Sequence, residues 1–135
     1  MRLPWWGTTS KDNRIVGNLI GLTPDGKDQL GNLGDGVLIH LATGTVVGRY
    51  NVISANVGNG VLVSRTSADA TTGNNTVVKG NRIGTDVTGT ERRGNRYGVM
   101  LLGTNGTLIG GSVQDDGNLI GQRHFLACND GSPVL

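Results

Sequence analysis

The chain predicts an all-β fold, a solenoid of short parallel strands with three strands to a coil and about four coils. Three observations carry this. The fragment GNLIG at 17–21 returns as GNRIG at 80–84 and as GNLIG at 117–121, and the whole stretch 17–32 aligns without a gap on 80–95. Asn13, Gly44, Asn75 and Gly106 recur 31 residues apart, each followed by a short run of β-branched or aliphatic residues. Finally, Gly 24 in 135 residues, with only 4% aromatics, suits many tight turns between short strands.

The apolar runs sort into three families that recur in a fixed order. One opens on Gly: 36–40, 60–64 and 98–102. A second contains the runs 31 apart: 13–17, 44–48, 75–80 and 106–111. A third opens on Asn: 18–21, 51–54, 81–84 and 118–121. Each coil takes one strand from each family, 124–128 begins a further strand, and the stack should be about 20 Å tall at the spacing of paired strands. Alternation of side chains then assigns the faces. Ile20, Ile53, Ile83 and Ile120 should point inward, because Arg82 shares the other column with Leu19, Val52 and Leu119. In the 31-residue family, aligning Arg14 with Thr45, Thr76 and Thr107 puts that column outside and Ile15, Val46, Val77 and Leu108 inside. Val37, Val61 and Val99 should point in, with Ile39, Val63 and Leu101. The outer faces would then carry two apolar stripes, Leu38–Leu62–Met100 and Val16–Val47–Val78–Ile109.

Between the second and third families the chain must bend within one or two residues, where Asn18, Asn51, Asn81 and Asn118 stand. Asparagine tolerates turn geometry and its amide can bond the same amide one coil away, so these four are expected to form a structural ladder. With these turns, the residues from about Asn13 to Gly121 resemble the right-handed parallel β-helix proteins of the pectin-lyase-like superfamily. More narrowly, GNRIGTDVTGT, NTVVKGN and GVMLLGTNGTLIGG resemble repeat tracts of large bacterial surface and secreted proteins. The resemblance implies a right-handed parallel β-helix and a secreted or cell-surface location. It leaves activity open, since the superfamily includes lyases, hydrolases, epimerases and non-catalytic adhesin stalks. The expected organisation is an N-terminal extension or cap over 1–12, repeats over 13–128 and a tail over 129–135. Trp5 and Trp6 would cover one end of the stack, and self-association or the rest of a larger chain would cover the other.

Composition narrows the partners. Twelve basic and 10 acidic residues leave a formal charge of +2, too balanced to imply nucleic acid. No run reaches membrane-spanning length, the N-terminal stretch lacks the apolar segment of a signal peptide, and the single Cys128 makes no internal disulfide. His40 and His124 lack a sequence partner for a dyad or triad, and glycine-rich 103–111 precedes no helix that would bind phosphate. Asp115 and Asp116 read as an inserted surface turn.

The long turn 84–97 gathers the remaining chemistry: Asp86, Glu91, Arg92, Arg93 and Arg96, with Arg82 beside it. By the resemblance to polysaccharide lyases, Asp86 and Glu91 would hold calcium against a uronate, and Arg82 or Arg92 would take the proton alpha to its carboxylate. The residues themselves favour a solvated turn. Asp86 aligns with Thr23 in the earlier copy, and two carboxylates are few for a cation that takes six to eight oxygens. The expectation is therefore a non-catalytic structural and adhesive segment, with no cofactor, and the alternative is a lyase or epimerase acting on acidic polysaccharide with calcium.

Overall fold

The computed structural model describes residues 10–64, 75–104 and 106–121, together with the backbone of strand 126–128. Regular structure among them is nearly all β, broken only by a single 3-10 turn at Gln114–Asp116. The predicted families become three parallel sheets of four strands each. The chain passes through β2 (Arg14–Ile15), β3 (Leu19–Ile20) and β4 (Val37–Ile39), then through β6 (Val46–Val47), β7 (Val52–Ile53) and β8 (Val61–Ser64). It continues with β9 (Val77–Val78), β10 (Arg82–Ile83) and β11 (Val99–Leu102), and ends with β12 (Leu108–Ile109), β13 (Leu119–Ile120) and β14 (Leu126–Cys128). Each set of three is one coil, and each strand pairs in parallel with its counterpart one coil away. An additional parallel pair joins β1 (Ser10–Lys11) to β5 (Ala42–Thr43). Residues 1–9 and 129–135, with Trp5, Trp6 and His124, lie outside the described residues.

One apolar cluster draws on all three sheets. Val37, Val61, Val99, Ile39, Val63 and Leu101 come from the Gly-led sheet, Ile53 and Ile83 from the Asn-led sheet, and Val47, Val78 and Ile109 from the third. Ile20, Ile53, Ile83 and Ile120 stand in register, the middle two fully buried and the outer two half-buried at the ends of the row. Fully burying an aliphatic side chain contributes roughly 1.5–3 kcal/mol, so this ladder replaces the broad core that two-residue strands lack.

The third sheet corrects the expected faces. Arg14 pairs with Val46, not Thr45, so the first step is 32 residues where the following ones are 31. That one-residue shift inverts the assignment, because strand side chains alternate. Ile15, Val47, Val78 and Ile109 point into the core, while Val46, Val77 and Leu108 join Arg14 on the outer column. Thr45, Thr76 and Thr107 are buried as well. They are β-branched and small enough to flank the core, and burial selects the register that keeps Arg14 in water. The stripe Val16–Val47–Val78–Ile109 therefore does not exist, and only Val16 of that set is exposed. The stripe Leu38–Leu62–Met100 does line up on the outer face, with Leu38 exposed and its neighbours half-buried.

Strand β14 extends the Gly-led sheet without a leading glycine, with Leu126 opposite Val99 and Cys128 opposite Leu101. Where the step from Arg82 to Leu119 lengthens to 37 residues, the 3-10 turn takes up the surplus.

Candidate functional site

Asparagine side chains organise the corners. Asn18 Nδ2 donates to Asn51 Oδ1 at 3.1 Å, Asn51 Nδ2 to Asn81 Oδ1 at 2.9 Å, and Asn81 Nδ2 to Asn118 Oδ1 at 3.1 Å. The second amide proton of Asn51, Asn81 and Asn118 goes to the carbonyl of Ile15, Val47 and Val78 respectively. Asn51 and Asn81 are buried, so their amides stand in place of water for backbone groups at the bend.

A second ladder runs at another corner. Asn32 Nδ2 donates to Asn56 Oδ1 at 3.0 Å, and Asn56 Nδ2 to Asn95 Oδ1 at 2.9 Å. A trace of it was present in the sequence, since Asn32 and Asn95 end the two aligned copies. Asn56 sits in a shorter corner that the alignment does not cover. A third, two-membered contact runs backwards: Asn59 Nδ2 donates to Asp35 Oδ1 at 2.9 Å, and Asn59 Oδ1 is left buried without a partner.

The long turn 84–97 is built by its own acid. Asp86 is only 5% exposed, and its Oδ1 accepts from Thr88 Oγ1 at 2.7 Å, Thr90 N at 3.2 Å and Glu91 N at 3.3 Å. The Thr88 hydroxyl and these amides hold its carboxyl below the usual range, against the opposing effect of burial. Arg82 Nη1 donates to Val87 O across the same turn. Glu91 and Arg92 are exposed, and Arg93 Nε reaches back to Lys27 O at 2.9 Å. The candidate residues Arg82, Asp86, Glu91 and Arg92 are thus neighbours, with Asp86 turned into the loop and Arg82 bonded to its backbone. Among the described residues no group of three or more His, Cys, Asp or Glu side chains is placed to hold a metal ion.

Two further features escaped the sequence. His40 Nδ1 and Ser64 Oγ lie 2.5 Å apart at the ends of β4 and β8, brought together by strand pairing across 24 residues. Asp116 is a buried anchor and not the surface turn residue expected. Its Oδ1 meets Arg49 Nη2 at 2.6 Å and Nε at 3.0 Å, with Lys79 Nζ at 3.8 Å. The Arg49 bond holds the Asp116 carboxyl below its ordinary range, and the same bond raises Arg49. Neither feature has a sequence signature, because the partners come from different coils.

This anchor borders a groove of about 430 Å³ on the outer face of the Asn-led sheet. Leu19, Val52 and Leu119 line it from the strands, together with Arg82, and Val87 from the long turn. Tyr50 and the pair Gln114–Asp115 complete the walls. Tyr50 is 70% exposed and adopts a left-handed backbone with φ of 69°, its N–H bonded to Gly80 O at 2.9 Å. No protein family, curated protein or solved structure gives a match to this chain.

Proposed function

We propose that the chain is a right-handed parallel β-helix segment of the pectin-lyase-like kind. It would serve as a non-catalytic structural and adhesive rod of a secreted or cell-surface protein, associating with a second copy or with the rest of a larger chain. The observation that carries the reading is the use made of the polar residues: buried amides are spent on inter-coil ladders, and Asp86, the best candidate ligand, is spent on its own turn. A catalytic carboxylate or calcium ligand needs lone pairs facing substrate or metal, and Asp86 Oδ1 already takes three donors. Right-handedness is supported by the strong preference of parallel crossovers for that hand. Incubating the chain with pectate and with alginate, with and without calcium, is expected to release no unsaturated uronate. Release of that product, abolished by Arg92→Ala or Glu91→Gln, would overturn the reading in favour of a lyase.

A further inference from the structure

We propose that the groove beside Tyr50 binds a neutral pyranose unit of a glycan, an inference that rests on the adhesive reading and supplies its contact. Three features of the groove point this way. Its floor is the outward column Leu19–Val52–Arg82–Leu119, apolar but for Arg82, whose Nη1 is bonded to Val87 O, and Tyr50 stands exposed beside it. Gln114 and Asp115, two exposed residues with planar polar side chains, line its edge. The side chains of Gln114, Asp115 and Tyr50 make no hydrogen bond among the described residues. A pyranose has the complementary form, an apolar ring face bordered by vicinal hydroxyls that planar side chains can grip in pairs.

The second argument is rigidity. Tyr50 follows Arg49, whose guanidinium is bonded to buried Asp116, and precedes Asn51, which is fully buried in the amide ladder. Its own N–H is held by Gly80 O. A non-glycine residue with positive φ is kept only where its surroundings over-determine it, and such strain concentrates at binding sites. The same Arg49–Asp116 bond ties the Tyr50 wall to the turn that carries Gln114 and Asp115, so both walls are set before a ligand arrives.

Charge and backbone select among ligands. The ionised groups on the groove are one Arg82 and one Asp115, so a uronate attracted by the first is repelled by the second. A peptide adding as a strand needs an unpaired sheet edge. Here β7 and β10, which underlie the middle of the groove, are already paired on both sides. The volume is at the lower end of ligand pockets and suits one or two sugar units.

Two-dimensional amide NMR of the full chain, titrated separately with cellobiose, N,N′-diacetylchitobiose, digalacturonate and a pool of acetylated tetrapeptides, tests this. A neutral disaccharide is expected to shift the amides of Tyr50, Gly80, Arg82 and Gln114–Gly117, with a Kd on the order of 1 mM. Tyr50→Ala should weaken it about tenfold. Gln114→Ala, at an exposed side chain without hydrogen bonds, should weaken binding with an unchanged melting curve and so serves if the Tyr50 variant misfolds. Silence of the groove amides toward both neutral sugars at about 20 mM would overturn the proposal. So would preference for digalacturonate or the peptides, or binding that neither variant weakens. The scaffold reading falls on a different signal, release of unsaturated uronate, so the two failures are separable.

Discussion

The two long turns, 22–29 and 85–92, share a backbone and differ in the side chain that holds it. Each closes on an isolated antiparallel bridge, Leu22 to Gln29 and Thr85 to Arg92. In each, the side chain at the second position accepts the amide five residues on. Thr23 Oγ1 takes Asp28 N at 3.1 Å, and Asp86 Oδ1 takes Glu91 N at 3.3 Å. A hydroxyl in one copy thus does what a carboxylate does in the other. An acid that appears in a single repeat can thus be a turn-former, and Asp86 Oδ1, which accepts from Thr88, Thr90 and Glu91, is used in that way. The turns also lie against each other, because the intervening coil has only a short corner after β7. Val87 N donates to Gly26 O at 2.9 Å, and Arg93 bridges to Lys27.

That contact gives the sharpest way to break the equivalence. Gly26 and Gly89 occupy matching positions with φ of 73° and 80°, so a side chain strains both backbones alike. A Cβ on Gly26 would lie 2.5 Å from Val87 Cβ, a branch point that cannot move aside. One on Gly89 would meet Leu119 Cδ2 at 2.9 Å, the end of a flexible side chain. Gly26→Ala is expected to destabilise by about 2–4 kcal/mol and Gly89→Ala by about 1–2 kcal/mol, adding overpacking to left-handed strain only in the first. Equal losses in urea titrations would mean that the turns do not pack as described.

Asn81→Ala comes next, with an expected loss of about 1–3 kcal/mol, because buried Asn51 and the Val47 carbonyl on one side and half-buried Asn118 on the other lose a hydrogen bond. Asn32→Ala, at the exposed start of the second ladder, should stay within about 0.5 kcal/mol. A melting curve unchanged by Asn81→Ala would show that the ladder does not support the stack.

Acid should weaken the second turn more than the first, whose own lowered carboxyl, Asp25, is exposed to solvent. Asp86 and Asp116 are held below their ordinary pKa when folded, so their contribution is present above the unfolded value of about 3.9 and is lost as pH falls through the folded values. Stability should therefore drop below about pH 4. Asp116→Asn and Asp86→Thr should each make that drop shallower, and so should Thr23→Asp, because a carboxylate there would face Asp25, whose Oδ1 now accepts from the Thr23 hydroxyl at 2.5 Å. An acid limb unaffected by all three would remove these side chains from the account.

Much of this was legible in the chain itself. The Asn-led and Gly-led families fell into register because an obligatory outward Arg82 and an invariant inward isoleucine column leave one alternation. The corner asparagines followed from turn chemistry, and the turn role of Asp86 from its alignment with Thr23. The third family was misplaced because spacing alone cannot show a single extra residue between the first two coils, and threonine is equally at home on either face. Tertiary structure decided what depends on neighbours far apart in sequence. It paired His40 with Ser64, buried Asp116 against Arg49, laid one long turn on the other, and fixed Tyr50 at the edge of a groove. A repeat specifies what each coil presents to the next, because like stacks on like. The length of each intervening turn decides which unlike residues meet, and that becomes definite only when the coils close on a common core.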